Sequence, residues 1–440
     1  LVSNFLTYKS GTDMKKSFYK IIIVFAGIFS FYTGCSEDIT PSLYKEPDPT
    51  AVPSISAVDP ANSAVAGVTE ITISGSDFSS DKTKLVVYFN SVPAAILEAS
   101  PTQLKVQAPN LPSDSIKIQI SKIGSISFSN PVQYQLTPAY AEIKRDENGT
   151  NLFTENRVPN GITTDAQGNV YVSVKEFNQN IGVKKITLAG ILVPYGQLQD
   201  FAPPGGAGGS FFSQINLWRD TIIAARRAAA IFQQAEGTVT SVFASQLMQG
   251  TLMYDIDFDQ NLNVWAGGRG TTSGGGGPSL FRITPERGVK SFSYFNLIKA
   301  LRIYDNHLYI LTTVNDEDII RRFAILSSDS LGPIEDIFNI SQSVLPDSGN
   351  AQTTANDFDI AADGDIIIGT TRNEDPIVVV NSDGSSEPLY PGVIPAGTIV
   401  SAFAWDPGQY LYLTRQASGS FIQSLFRINM QKPGAPYFGR

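Results

Sequence analysis

The stretch NGITTDAQGNVYVSVKE, Asn160 to Glu176, decides how the rest of the chain is read. Two β-prone runs flank Asp165-Ala166-Gln167-Gly168-Asn169, a turn composition, so the segment reads as a β-hairpin. The same plan recurs downstream. Runs equivalent to its second half are NVYVSVK (169–175), DTIIAAR (220–226), NVWAGGR (263–269), HLYILTT (307–313), DIIIGTT (365–371) and QYLYLTR (409–415). A third run follows each: VKKIT (183–187), AAIFQQ (229–234), SLFRIT (279–284), IIRRFAI (319–325), PIVVVN (376–381) and SLFRIN (424–429). Each set then meets a turn glycine, Gly190, Gly237, Gly288, Gly332, Gly384 or Gly434, at spacings of 47, 51, 44, 52 and 50. Repeats of roughly 40 to 50 residues with about four strands apiece define propeller blades. Six repeats predict six blades over residues 139–440. The run APYFGR (435–440) reads as the fourth strand of the last blade. The segment Tyr140 to Arg145 then either adds to that sheet or links domains.

Two of the hairpins carry a more specific pattern. Asn160-Gly161-Ile162…Asp165-x-x-Gly168-Asn169-Val170-Tyr171-Val172 and Asp363-Gly364-Asp365-Ile366 resemble NHL-type blades, whose turn reads D-x-x-G-N-x-Y. The chain departs from that family where an aspartate often follows the second strand. Val174, Ala225, Gly268, Thr312, Thr370 and Thr414 stand there instead.

Upstream, TEITISG (69–75), KLVVYFN (84–90), QLKVQAP (103–109), SIKIQIS (115–121) and PVQYQL (131–136) alternate between turns, which predicts a β-sandwich over 53–137. Pro53-x-Ile55…Pro60…Gly67-x-x-x-Ile71-x-Ile73-x-Gly75-x-x-Phe78, with Val87-x-Phe89-Asn90 and Leu104-x-Val106-x-x-Pro109, resembles the immunoglobulin-like IPT/TIG family. The expected fold is therefore all-β, an IPT/TIG sandwich followed by an NHL-like six-bladed propeller. Such sandwiches are commonly spacers, and their glycines and plugging phenylalanine are structural.

The amino-terminal 52 residues follow a different logic. Lys15, Lys16 and Lys20 precede the uncharged apolar run Ile21 to Phe31, the order of a secretory signal. That run is short against the roughly 20 residues of a spanning helix. Residues 1–13 read as an extension upstream of the start at Met14. Thr33-Gly34-Cys35 resembles a bacterial lipobox, which makes Cys35 the acylated first residue of the mature chain, although Tyr32 stands where an aliphatic residue is usual. Ser36-Glu37-Asp38 resembles the acidic signal that sends lipoproteins of some glycan-foraging Gram-negative bacteria to the cell surface. Residues 36–52, with three prolines and Pro53 directly after, suit an extended linker. The localisation expected is the outer membrane, anchored through lipid only and facing outward.

Composition narrows the chemistry. A net charge of −9 argues against nucleic acid as a partner. One histidine, His307, and one cysteine leave little for His/Cys metal sites or Cys-His nucleophiles. In a propeller the loops joining blades and those joining the second and third strands share one face. DFAPPGGAGGSFF (200–212) and GGRGTTSGGGGP (267–278) fall there, without the order of a phosphate loop. The seventh position of each second strand is Lys175, Arg226, Arg269, Thr313, Thr371 and Arg415, with Arg372 next to Thr371. A ring of cations in an acidic chain suits an anionic ligand, because guanidinium forks bind carboxylate or sulfate bidentately. The alternative is pairing with neighbouring acids such as Glu176, Asp316, Glu317 or Glu374. Phe211, Phe212 and Tyr254 are the aromatics placed near that face, while Trp265 and Trp405 read as packing between blades.

Three functions compete. The first is a non-catalytic surface lipoprotein that captures an extracellular ligand, a glycan of anionic character, with an outer-membrane transporter as partner; it needs no cofactor. The second is a calcium-dependent propeller hydrolase, lactonase or lyase, with Asp255, Asn356 and Asp357 as candidate Ca2+ ligands. The third is a scaffold for another envelope protein.

Overall fold

The computed structural model describes residues 50–143, 151–176, 179–187, 192–196, 212–226, 228–245, 247, 249–271, 277–346, 352–415 and 423–439. Residues 1–50 and 51–440 form two separate units. The signal segment, Cys35, nearly all of the linker and Phe211 lie outside the described residues. No described helix is long and apolar enough to cross a membrane.

Residues 54–137 build a sandwich of two sheets. One has the strand order Ser54–Asp59, Glu70–Ser76, Gln103–Gln107, Ile96–Ala99; the other Ser63–Val65, Val132–Thr137, Ser113–Lys122, Leu85–Phe89, Val92–Ala94. Alternation places Ile71 and Ile73, then Leu85, Val87 and Phe89, then Ile116, Ile118 and Ile120 in one shared core. Phe78 is buried against them, and a Cβ at Gly75 would collide with the Ser54 carbonyl oxygen, so this position admits no larger residue.

Residues 140–439 form a six-bladed propeller, each blade a four-stranded antiparallel sheet. The inner strands are Arg157–Thr164, Gln214–Trp218, Leu252–Phe258, Leu297–Tyr304, Ala355–Ile360 and Val400–Trp405. The second strands are Val170–Glu176, Thr221–Ala225, Val264–Arg269, His307–Val314, Ile366–Thr370 and Tyr410–Arg415. The turns between them carry Asp165, Asp259 and Asp406, each of which accepts two backbone N–H bonds through its carboxylate. Asp259 Oδ2 also takes the indole N–H of the fully buried Trp265 at 2.9 Å, as Asp165 Oδ2 takes the Tyr171 hydroxyl.

Closure takes one of the two paths left open for Tyr140 to Arg145 and departs from the expectation for the run APYFGR. The outermost strand of blade 6 is Tyr140–Ile143, paired antiparallel with Ser424–Asn429, so the segment leaving the sandwich completes the last blade. Tyr140 stacks on Phe426 with ring centroids 4.8 Å apart. The carboxyl-terminal run is not that strand. It crosses the face of the propeller that carries the first turn of each blade. Ala435 N–H donates to Ile360 O, the Tyr437 hydroxyl donates to Leu217 O, and Arg219 N–H donates to Gly439 O. Tyr437 meets Phe258 edge-on at 6.1 Å. Two apolar strands competing for one sheet edge explain the outcome. Tyr140-Ala141-Glu142-Ile143 forms an unbroken ladder, whereas Pro433 and Pro436 remove donors from the tail.

Inner strands diverge from the sheet geometry that would let neighbouring blades share a ladder. Polar side chains bridge every junction instead. Asn160 Nδ2 donates to Phe212 O, Asn216 Nδ2 to Ile256 O, and Lys299 Nζ to Ala355 O. Asn356 Nδ2 donates to Val400 O, and Thr164 Oγ1 to Trp405 O. Between blades 3 and 4 the direction reverses, Leu301 and Ile303 N–H donating to Asp255 and Asp257.

Candidate ligand-binding mouth

The inner strands begin, and the second strands end, on one face of the propeller, here called the mouth. Lys175 lies opposite Val158, Arg269 opposite Leu252, Thr313 opposite Leu297 and Arg415 opposite Val400. Arg226 follows Ala225, whose carbonyl takes Ser213 N–H, and Thr371 N–H donates to Thr354 O. All six positions therefore share the register read from the sequence.

Their side chains have different fates. Arg415 is buried, with its guanidinium 4.6 Å from the Phe426 ring centroid, 3.1 Å from Ser424 Oγ and 3.8 Å from Glu142 Oε1. Arg226 is buried too, 5.5 Å from the Phe232 ring. Lys175 and Arg372 are half-buried. Arg269 alone of the five is exposed, and it has no ion-pair partner among the described residues. It is presented by tight backbone. A Cβ at Gly268 would strike Leu252 O, and one at Gly270 would strike Gly277 O, so both flanking positions require glycine. In blade 4, where threonine replaces the cation, Thr313 Oγ1 donates to Asp318 and Lys299 Nζ lies 2.6 Å from the same carboxylate.

At the centre of the mouth is a funnel of about 30 Å³, lined among others by Tyr254, Asp255, Lys299, Asn356 and Asp357. Beneath it sits Arg302, a buried arginine on the inner strand of blade 4. Its Nη1 donates to Asp255 Oδ2 at 2.7 Å and its Nη2 to Asp357 Oδ1 at 3.1 Å, while Nε lies 3.7 Å from Asp359 Oδ1. Burial opposes the charge of Arg302, but the surrounding aspartates outweigh it and raise its pKa well above the ordinary arginine range. Burial pushes Asp257 and Asp357 up to about 7 against the opposing pull of Arg302. Further down, a cavity of about 40 Å³ is lined by Asp257, Arg302, Asp359 and Tyr437 of the tail, among others. The channel is thus filled by Arg302 and its acids and covered by the tail on the opposite face. The bore therefore leaves room for little more than water.

The candidate calcium ligands are engaged in this packing. Asp255 takes Leu301 N–H, Ile256 N–H and Arg302; Asp357 takes Phe358 N–H, Phe403 N–H and Arg302; Asn356 bonds Val400 O. Among the described residues no group of three or more His, Cys, Asp or Glu side chains could hold a metal ion. Phe212, expected near the mouth as a stacking aromatic, is 2% exposed in the core between blades 1 and 2. Its ring packs with Phe232 and Ile215 and offers no free face. Tyr254 is half-buried at the funnel. His307 lies at the other end of its strand, with Nδ1 2.7 Å from Asp305 O. Sequence reasoning missed Lys299 and Arg302. The available signal was charge inside the apolar run LIKALRIY (297–304), facing the D-x-D pairs Asp255/Asp257 and Asp357/Asp359.

Comparison with known proteins agrees on one module. Residues 53–136 match the IPT/TIG domain family. No curated protein sequence matches the chain. Among solved structures, a protein of unknown function from Bacteroides thetaiotaomicron is similar at 12% identity and TM-score 0.45, covering 87% of this chain and 99% of that one. An auxiliary nutrient binding protein from the same organism is similar at 12% identity and TM-score 0.42, covering 87% and 98%. Another auxiliary nutrient binding protein, from Bacteroides ovatus, shows 10% identity and TM-score 0.43 over 86% and 99%.

Proposed function

We propose that this chain is a non-catalytic lipoprotein, anchored through Cys35 and displayed at the cell surface, that captures an anionic extracellular glycan at the propeller mouth. On this reading it serves polysaccharide uptake beside an outer-membrane transporter. The observation that carries the binding half is Arg269, an exposed cation held on a glycine-constrained loop base at the mouth rim. A guanidinium so placed costs little to order and meets a carboxylate or sulfate as a fork. Tyr254 supplies an aromatic side chain at the funnel of the same mouth, and Lys175 and Arg372 add half-buried positive charge around the rim. The non-catalytic half rests on Asp255 and Asp357, whose oxygens are held by backbone N–H groups and Arg302 rather than turned to a substrate.

The test is a glycan array probed with residues 36–440, followed by calorimetry on any hit in the presence of a chelator. Binding to uronate- or sulfate-bearing glycans that survives chelation is expected, with about tenfold loss on Arg269→Ala. Binding abolished by chelation, or turnover of the bound glycan, would sink the reading in favour of a calcium-dependent enzyme.

A further inference from the structure

The sandwich carries a feature that neither its core nor the propeller mouth uses. Four of the ten large apolar side chains exposed among the described residues lie together on it: Val86 at 36%, Phe128 at 52%, Ile123 at 69% and Ile126 at 82%. The other six are distributed along blades 2 to 4 and the connections around them. Single exposed apolar residues are ordinary; a cluster at one loop tip marks a surface that meets something.

The loop that presents them is ordered by its own bonds. It leaves the strand Ser113–Lys122 and returns at Val132. Ile123 N–H donates to Lys84 O, Ser125 N–H to Lys122 O, and Ser129 N–H to Ile120 O. Phe128 rests edge-on against Tyr88 at 5.9 Å, on the sheet face that Val86 shares. Ile126 is the most exposed of the four. Lys84 and Lys122 border the tip, Lys84 with a 3.9 Å pairing to Asp81 and Lys122 with Nζ donating to Asp77 O. Apolar side chains ahead of a collar of lysine stems is the chemistry of a bilayer interface. There the apolar tips enter the acyl boundary, and the ammonium groups stay with phosphate.

The chain path says which end of the sandwich this is. Asn130, directly after the loop, clamps the first strand: its Oδ1 accepts Ile55 N–H at 2.8 Å and its Nδ2 donates to Ile55 O at 3.0 Å. The apolar tip therefore lies beside the point where the linker becomes the sandwich. That linker, residues 36–52, is 17 residues long, and such a tether spans at most about 60 Å.

We propose that the Ile123–Phe128 loop is a membrane-docking tip that seats the sandwich on the lipid surface into which the chain is anchored. The proposal rests on the lipid-anchor reading for its orientation, and its test does not depend on that anchor. Residues 51–440 form a compact unit with its own cores, so the unacylated chain 36–440 is the probe. It is mixed with vesicles of equimolar phosphatidylethanolamine and phosphatidylglycerol and sedimented. The expected result is partition into the pellet. Ile126→Asp with Phe128→Ser should weaken it about tenfold or more with only a small fall in melting temperature, because Ile126 is exposed and Phe128 loses only its edge contact with Tyr88. Ile126→Trp should show a blue-shifted emission quenched by brominated lipid. Partition unchanged in the double variant, or no partition at all, overturns the proposal. So does a photo-crosslinker at position 126 that yields protein adducts rather than lipid in cells, which would make the loop a protein interface. Acylation is read separately, from incorporation of an alkyne fatty acid into the full chain and its loss on Cys35→Ser. A failed anchor and a failed tip are thereby distinguished.

Discussion

Arg302 Nη1 donates to Asp255 Oδ2 across 2.7 Å, joining the inner strands of blades 4 and 3 at the buried centre of the propeller. Its other terminal nitrogen reaches Asp357 of blade 5, so one guanidinium ties three blades. Replacing it with methionine keeps volume but leaves buried carboxylates without a neutralising charge. Arg302→Met should lose about 3–5 kcal/mol in urea unfolding, and Arg302→Lys visibly less. A loss under about 1 kcal/mol for the methionine variant would mean the acids are neutralised by protons rather than by Arg302.

The same cluster gives stability a pH dependence of known sign. Asp257 is fully buried, and burial raises its carboxyl to about 7, above the roughly 3.9 of an unfolded aspartate. The protonated form is thus favoured in the folded state. Its contribution is complete below about pH 4 and is lost as pH rises through about 7. Melting temperature should fall between pH 5 and pH 8, and Asp257→Asn should flatten that slope. Differential scanning fluorimetry across the range reads it directly; an unchanged slope in the variant would assign the titration elsewhere.

Much of this architecture was legible because strand alternation and turn chemistry are local. Ile71 and Ile73, or Val170 and Val172, declare their faces within a few residues. The shared register of Lys175, Arg269 and Arg415 followed from the same period. What escaped was non-local. Whether Arg415 points at a ligand or at Glu142 depends on a strand 273 residues earlier completing its blade. Phe212 looked like a loop aromatic because its packing partner Tyr171 belongs to the preceding blade. Arg302 among isoleucines and leucines makes sense only once blades 3 and 5 flank it.

The strand Tyr140–Ile143 and the tail around Tyr437 make a graded prediction. Tyr437 packs on Phe258 and bonds Leu217 O, so Tyr437→Ala should cost about 2–4 kcal/mol. Removing residues 53–143 should do more, because it deletes the outer strand of blade 6 along with the sandwich and exposes the edge of Ser424–Asn429. Such a truncated propeller should aggregate, whereas one retaining residues 138–440 should stay monomeric. Size-exclusion chromatography separates these outcomes, and a well-behaved 144–440 fragment would show that strand Tyr140–Ile143 is dispensable.

The cations at the mouth separate ligand recognition from folding. Arg415 lies under Phe426 and beside Ser424 and Glu142, so Arg415→Ala removes a buried cation and leaves Glu142 without it. That variant should lose about 2–4 kcal/mol of stability. Arg269 is exposed and unpaired among the described residues, so Arg269→Ala should leave the melting temperature within about a degree. If the mouth binds an anionic glycan, the order reverses for affinity. Arg269→Ala should weaken it about tenfold, Arg269→Lys less, because lysine keeps the charge but loses the fork. Added salt should weaken wild-type binding and have little effect on the alanine variant. Equal salt dependence in the two proteins would move the anion contact away from Arg269, leaving Lys175 and Arg372 as the rim cations to vary next.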